Sequence, residues 1–187
     1  MSKKLILASA SPRRRRLLEQ IGLDFQVMPS GINEEDMIGS DPLVDVQNLA
    51  LCKARDVSAK AKDEIIIGAD TEILVDGEVL GKPNDKSDAA RMLSMLSGRT
   101  HQAITGVALV DAETGVEKTW VEMTLVTFRE LSGDEISAYV ETGEPMGKAG
   151  AYGIQGKAAA FVERIEGCYF NIVGLPLAKL VQNLRKM

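Results

Sequence analysis

The sequence is poor in several residue types that mark particular classes of protein. Its 187 residues include two cysteines and one histidine, and aromatic residues make up only 4%. Cys52 and Cys168 lie far apart and do not have the spacing of zinc ligands. Two cysteines are also too few for a disulfide scaffold, which favours a reduced, cytoplasmic setting. His101 is assigned no catalytic role, because a lone histidine that opens a strand is more often structural.

Two further absences narrow the class of partner. No apolar run approaches the roughly 18 residues of a membrane span, and the N-terminal apolar stretch is too short for a signal peptide, so we expect no membrane partner. The net charge is −5, whereas a binder of duplex nucleic acid is usually basic. Basic residues gathered locally on an acidic chain fit a small anionic ligand better than a nucleic acid polymer.

What is present is typical of a globular protein. Hydrophobic residues make up 45% of the chain and charged residues 26%. The length suits one domain with a good core, or two small lobes around a cleft.

Residues 5–18 predict a short buried strand, a tight polar turn and a helix. Ser11 is a good N-cap, and Pro12 fits the first helical position, where no amide hydrogen is needed. Arg13 and Arg14 occupy the first turn, where the helix dipole disfavours cations unless an anion shares the site. Free amides, the dipole and two guanidinium groups together predict a phosphate site. The alternative is a solvated basic turn that serves solubility.

Apolar periodicity after this opening predicts strands and helices in mixed order. Strands are expected at residues 23–27, 65–69, 73–75, 78–80, 161–165 and 169–173, with two more between residues 100 and 128. Helices are expected at residues 41–61, 87–96 and 132–140, and a final helix begins at residues 174–176. A glycine-rich loop is expected at residues 147–156.

Two polar residues stand out against these elements. Lys53 falls within the apolar stripe of the helix at residues 41–61, so its ammonium group must either reach solvent or face a polar cleft. The strand at residues 65–69 ends at Asp70 and Thr71, and the carboxyl ends of such strands are the usual position of ligand sites in α/β sheets. The alternative for Asp70 is an ordinary turn aspartate.

Five short motifs, in this order along the chain, resemble those of the Maf nucleotide pyrophosphatases. They are ASASPRR at residues 8–14, GADT at 68–71, GKP at 81–83, KAGAYGIQG at 148–156 and VGLPL at 173–177. Each motif alone is weak, whereas the ordered set spans nearly the whole chain and is specific.

The resemblance implies a single α/β domain over residues 1–187, related to the inosine-triphosphate pyrophosphatases, with an elongated mixed sheet, flanking helices and two lobes around a cleft. It implies hydrolysis of a nucleoside triphosphate to the monophosphate and pyrophosphate, aided by Mg²⁺ or Mn²⁺, and by analogy a homodimer. The residues at the specificity positions resemble the branch that acts on dTTP and UTP. The alternatives are a 7-methyl-GTP pyrophosphatase and a nucleotide-binding regulator of cell division with little catalysis.

The resemblance also implies roles for individual residues. Asp70 is the proton acceptor, while Arg13, Thr71 and Gln155 determine the choice of base. We assign phosphate binding to Arg14, Lys53 and Lys82, although Lys82 alone resembles an ordinary exposed lysine. Glu34 is a candidate metal ligand beside Asp70, since hard oxygen ligands suit Mg²⁺; the alternative is that its acidic run is solvated loop charge.

Gln155 carries an amide that both donates and accepts hydrogen bonds, as the N3 donor and neighbouring carbonyl of thymine or uracil require. A glutamate there would suit the paired donors of guanine, and the alternative role for Gln155 is to close the loop. Tyr152 packs either beside a base or beneath the loop, while Tyr139 and Trp120 are expected to be packing residues.

Two positions depart from the family pattern. Gly147 replaces an aspartate that is common in relatives, which places an acidic role there in doubt. Glu72 replaces an apolar residue and is a candidate extra carboxylate near the site.

Overall fold

The computed structural model of the chain describes residues 3–33, 39 and 41–187. The strands are β1 Leu5–Leu7, β2 Phe25–Val27, β3 Ile65–Val75, β4 Glu78–Leu80, β5 Thr100–Asp111, β6 Glu117–Phe128 and β7 Val162–Glu166. The helices are α1 Pro12–Gln20, α2 Pro42–Ser58, α3 Lys86–Leu96, α4 Gly133–Glu141, α5 Tyr169–Val173 and α6 Leu177–Leu184, with short 3-10 turns at Ala149–Ala151 and Lys157–Phe161.

Within the described residues the seven strands form one mixed sheet. The strand order is β2-β1-β3-β5-β6-β7, and β4 pairs with β3. The β1 strand runs parallel to both β2 and β3, whereas β4 is antiparallel to β3 and β7 is antiparallel to β6. This arrangement confirms the predicted α/β class with a mixed sheet.

The chain divides into two compact units. The first unit comprises Met1–Asp70, Thr105–Glu122 and Gly174–Met187, and the second comprises Thr71–Ile104 and Met123–Val173. The strands β3, β5 and β6 each contribute residues to both units. Whether the 187 residues act as one domain stays a prediction.

In the first unit, α2 packs closely against the sheet through small residues. Ala50, Ala54 and Val57 of this helix belong to one buried cluster with Ile6 and Ile66. A Cβ atom placed on Gly68 of β3 would lie 2.1 Å from the carbonyl oxygen of Ala50. A Cβ atom on Gly106 of β5 would lie 2.1 Å from the carbonyl oxygen of Val46. The helix backbone therefore lies at a distance from the sheet that only glycine permits.

Local signals in the sequence account for several of the element boundaries. The Ser11 side chain caps α1, with Pro12 in the first turn, and Ser132 and Glu135 form the predicted capping box of α4. Asp76 and Gly77 both have positive φ (50° and 84°), as a two-residue hairpin turn between β3 and β4 requires.

The predicted strand at residues 169–173 is wrong, because this segment is the helix α5. Asn171 at its centre is fully buried, and its Nδ2 donates to the carbonyl oxygen of Ala103 (2.9 Å) and to Thr124 Oγ1 (3.0 Å). Thr124 Oγ1 also accepts from the backbone N–H of Cys168 (3.1 Å), just before the helix. A five-residue apolar run is compatible with strand or helix, and these distant hydrogen bonds favour the helix here.

The predicted end of the strand at Asp70 is also wrong. The strand β3 continues to Val75, so Asp70 lies inside it. The neighbouring strand β1 ends earlier: its last pair is Leu7 with Ile67, followed by a hydrogen bond from Ala8 N–H to the Ile67 carbonyl oxygen (2.8 Å). Asp70 therefore lies beyond the carboxyl end of β1 rather than beyond the end of its own strand.

The close approach of α2 to the sheet makes Gly106 a sensitive position. We expect Gly106→Ala to destabilise the protein by about 3 kcal/mol, the upper end of ordinary overpacking costs, because its methyl group would meet helix backbone rather than a movable side chain. For a chain of this length that corresponds to a fall in Tm of about 6–12 °C in a thermal unfolding experiment.

Gly133→Ala is the matched control, since a Cβ atom there meets nothing within 4 Å. We expect its Tm to stay the same or to rise slightly. Equal Tm values for the two variants would contradict the close approach.

Candidate active site

Lys53 and Asp70 form a buried ion pair in the first unit. The Nζ atom of Lys53 donates to Oδ1 of Asp70 at 2.6 Å, and their side chains are only 7% and 13% exposed. The Oδ2 atom of Asp70 takes no part in this bond. Because a buried ion pair contributes little net stability, its presence favours a functional role for the two charges.

The packing of α2 explains why these two side chains meet. Lys53 lies one helical turn after Ala50, on the same face of α2. Asp70 lies two residues after Gly68, on the same face of β3. The contact between Gly68 and the Ala50 backbone therefore sets the position of Lys53 over Asp70.

The first turn of α1 is organised by Arg14 and Ser9, both buried. The Nε atom of Arg14 donates to the carbonyl oxygen of Gly174 (2.9 Å), and its Nη1 atom donates to Oγ of Ser9 (3.2 Å). The same Ser9 oxygen accepts from the backbone N–H of Ser11 (3.2 Å). Arg14 therefore holds the turn after β1 in place, and its predicted role in phosphate binding stays a prediction.

Arg13 differs from its neighbour. It is half-buried, and this burial lowers the pKa of its guanidinium group. Its side chain makes no hydrogen bond or ion pair with any described residue. A desolvated cation at the N-terminal end of a helix favours the arrival of an anion, which supports the anion site over the solvated basic turn.

Three further predicted residues, Thr71, Lys82 and Gln155, lie in the second unit. Thr71 is half-buried on β3, whereas Lys82 and Gln155 are exposed. The N–H of Gly150, in the glycine-rich loop, donates to the carbonyl oxygen of Gly81 (3.0 Å). The segment that carries Lys82 and the loop that carries Gln155 are therefore joined directly.

The Gln155 side chain makes no hydrogen bond to a described residue. The alternative in which its amide closes the loop is therefore not supported. Tyr152 is buried, and its hydroxyl bonds His101 Nε2 (2.9 Å), so it packs beneath the loop rather than beside a base. Ser9 organises the turn before α1, whereas Tyr139 bonds both Glu144 and the backbone N–H of Gly153 in the glycine-rich loop. None of these three was predicted as a positioning residue, and only Ser9 carries a sequence signal, a small polar residue directly after a buried apolar run.

Comparison with known proteins now assigns the family. A family model described as Maf-like protein matches residues 4–187. The chain belongs to the Maf-like family. Two of its relatives are named dTTP/UTP pyrophosphatase. The one from Moorella thermoacetica is 54% identical over 181 residues, covering 97% of this chain and 93% of the relative. The one from Bacillus pumilus is 50% identical over 181 residues, covering 97% of this chain and 95% of the relative.

A solved structure confirms the predicted fold. The HAM1 protein from Coxiella burnetii matches with a TM-score of 0.52 at 14% identity, covering 99% of this chain and 100% of that one. At this identity the match speaks for the fold alone. In the described part of this Maf-like chain, no helix has both the length and the apolar character needed to cross a membrane.

Asp70 is the predicted metal ligand that the structure describes. Among them, no three His, Cys, Asp or Glu side chains gather closely enough to hold a metal. Glu34, the second predicted ligand, lies outside the described residues. Since Mg²⁺ is commonly held by one or two carboxylates together with substrate phosphates, Asp70 fits such an ion, and this role stays a prediction.

The glycine at position 147, where relatives commonly have aspartate, has a conformational explanation. Gly147 has φ of 71°, in the left-handed region that glycine favours and that aspartate tolerates better than most residues. An exchange between glycine and aspartate here needs no acidic role. Glu72 is half-buried on β3, and its influence on the site stays a prediction.

His101 gives the second unit a pH-dependent stability. Burial lowers the pKa of His101 to about 4, against an ordinary value of 6.5. The unfolded chain therefore binds a proton below about pH 6.5 while the folded chain does not, so stability falls as the pH decreases from about 6.5 to 4. The full loss is on the order of 3 kcal/mol.

We expect His101→Gln, which does not titrate and still offers an amide to the Tyr152 hydroxyl, to flatten this dependence. The check is Tm between pH 7 and 5, above the range in which carboxylates with lowered pKa, such as those of Asp111 and Glu117, become protonated. Parallel Tm curves for the variant and the parent would refute the assignment to His101.

Proposed function

We propose that this Maf-like protein hydrolyses dTTP and UTP to the nucleoside monophosphate and pyrophosphate. The observation that carries the proposal is the buried Lys53–Asp70 pair, with its carboxylate beyond the carboxyl end of β1. The names of the relatives support the same reaction and the same substrates.

Cleavage between the α and β phosphates needs a deprotonated water and neutralised phosphate charge. Asp70 would accept the proton of the water that attacks the α-phosphorus. The bond from this phosphorus to the bridging oxygen breaks, and pyrophosphate leaves with the electron pair. A divalent cation, Mg²⁺ or Mn²⁺, held by Asp70 and Glu34 would further neutralise the phosphate oxygens.

Lys53 has two tasks in this proposal. Its ammonium group carries three donors, so it can keep its bond to Asp70 while it donates to a phosphate oxygen. This shared donor orients the carboxylate relative to the phosphate. Arg13 brings a desolvated positive charge to the same unit, and Arg14 and Lys82 complete the proposed phosphate set.

Selection of the base is assigned to Arg13, Thr71 and Gln155. An exposed amide without a partner among the described residues is available to accept from N3–H of uracil or thymine and to donate to the adjacent carbonyl oxygen. Guanine, unlike uracil and thymine, also presents two neighbouring donors at N1 and N2, which a carboxylate in place of this amide would suit better.

We also propose a cytoplasmic location and a homodimer. Cys52 and Cys168 are both free thiols, which is compatible with a reducing compartment. The dimer rests on analogy with similar α/β enzymes, and light scattering of the purified protein tests it.

Asp70→Asn tests the proposed base. We expect kcat for UTP to fall about a hundredfold or more, the usual contribution of a general base, while UTP binding is retained because the change removes a negative charge near the phosphates. Pyrophosphate release gives kcat, and calorimetry without a divalent cation, which leaves out the proposed metal-binding role of Asp70, gives the dissociation constant.

The matched control is Asp24→Asn, an exposed aspartate in the same unit, which should leave both quantities unchanged. If Asp70→Asn weakened binding as much as it slowed turnover, Asp70 would not be the base. If the parent protein bound UTP without releasing pyrophosphate, the regulator alternative would replace the enzyme.

Gln155→Glu tests whether the Gln155 amide recognises the base by hydrogen bonding. The carboxylate cannot donate to the carbonyl oxygen of uracil, so we expect kcat/KM for UTP and dTTP to fall about tenfold or more, roughly the loss of one hydrogen bond with an added repulsion. Activity on 7-methyl-GTP should rise relative to UTP in the same assay.

Gln182→Glu, an identical change on the exposed face of α6, is the control and should leave the ranking of substrates as it is. An unchanged ranking in Gln155→Glu would remove Gln155 from the specificity set.

A further inference from the structure

Glu144 lies at the centre of a hydrogen-bond network in the second unit. Its Oε1 atom accepts from the hydroxyl of Tyr139 (3.0 Å), and its Oε2 atom accepts from the backbone N–H of Lys157 (3.2 Å). The Tyr139 oxygen in turn accepts from the backbone N–H of Gly153 (3.2 Å). The Lys148 ammonium group donates to the Glu144 carbonyl oxygen. One carboxylate and one phenol thus hold several points of the glycine-rich loop.

Two glycines of this loop, Gly153 and Gly156, lie so close to Lys148 and Glu144 that a side chain at either position would collide with them. A Cβ atom on Gly156 would lie 2.1 Å from Oε1 of Glu144. A Cβ atom on Gly153 would lie 2.9 Å from Cε of Lys148, the side chain that donates to Glu144. The loop backbone therefore approaches Glu144 more closely than residues with side chains would allow.

The held positions are placed evenly around Gln155. Gly153 lies two residues before it and Lys157 two residues after it. The backbone is therefore fixed on both sides, while the Gln155 side chain is exposed and bonds no described residue. A rigid support beneath an outward-facing amide is what selective hydrogen bonding to a base requires.

The two supporting groups are themselves well held. Tyr139 is buried, and its ring packs edge-on against Phe161 with centroids 5.1 Å apart. Burial raises the pKa of Tyr139, so its hydroxyl stays protonated and keeps donating to Glu144 at neutral pH. The capping box of α4, the helix that carries Tyr139, fixes the start of that helix.

We propose that Glu144 and Tyr139 form a clamp, the Glu144–Tyr139 clamp, that fixes the backbone on both sides of Gln155 and thereby sets the selectivity for the pyrimidine base. The inference rests on the proposed function through the role of Gln155. Neither residue touches the substrate in this account, so both are positioning residues.

Tyr139→Phe tests the clamp, because it removes the hydroxyl and keeps the ring that packs on Phe161. The variant is compared with the parent for the dissociation constants of α,β-methylene-UTP and α,β-methylene-GTP, two analogues that cannot be hydrolysed. We expect the affinity for the UTP analogue to fall about three- to tenfold, the scale of one neutral hydrogen bond, and the affinity for the GTP analogue to stay unchanged. Hydrogen exchange at the amides of Gly153 and Lys157 should become faster.

Three further variants make the result decisive. Tyr169→Phe, the same change at an exposed tyrosine, should alter neither affinity. Glu144→Gln keeps one acceptor oxygen and loses the other, so it should give a smaller loss of selectivity than Glu144→Ala. Equal losses for both analogues in Tyr139→Phe and Glu144→Ala, or no loss in either, would overturn the clamp.

The experiment separates this inference from the proposed function. Pyrophosphate release by the parent protein from UTP and dTTP decides the function, whereas the clamp is judged on binding and exchange alone. If the parent hydrolyses neither nucleotide, the proposed function fails. The ratio of the affinities for the UTP and GTP analogues, compared between the parent and the variants, still tests whether the clamp sets selectivity. If the parent binds both analogues equally well, the clamp is overturned even when the enzyme is active.

Discussion

The close approach of α2 to the sheet is the constraint on which the chemistry of the first unit depends. Gly68 and Gly106 permit it, because any side chain at either position would collide with the helix backbone. Its consequence is that Lys53, one turn along the helix from Ala50, reaches Asp70, two residues along the strand from Gly68. A stable core and a buried charge pair thus follow from the same contact.

The second unit contains no comparable buried ion pair in the proposed site, and its described residues are held by hydrogen bonds. The proposed reader of the base, Gln155, is exposed, and the surrounding backbone is held by Tyr139 and Glu144. Buried charges suit the proposed phosphate chemistry, since low exposure strengthens their interaction. An outward-facing amide on a fixed backbone suits recognition of a base, where geometry decides which partner fits.

Sequence reasoning succeeded where the signal is local and failed where it is not. The cap at Ser11, the Asp76–Gly77 turn and the position of Lys53 on the apolar face of α2 follow from residues close together in the chain. The helix at Tyr169–Val173 depends on hydrogen bonds from Asn171 to residues 47 and 68 positions away, which no local pattern reveals. Glu144 resembled any loop carboxylate, because only the fold brings it to Gly153, Gly156 and Lys157. The family motifs include Asp70 and Gln155. They do not include Lys53, Tyr139 or Glu144, the residues that position them.

The structure of the protein bound to α,β-imido-UTP tests the central claim most directly. The account predicts that Lys53 Nζ contacts a phosphate oxygen while it keeps its bond to Asp70, and that Asp70 holds a water about 3–3.5 Å from the α-phosphorus, the range of a near-attack arrangement. A triphosphate bound away from both residues, with the ion pair undisturbed, would contradict it.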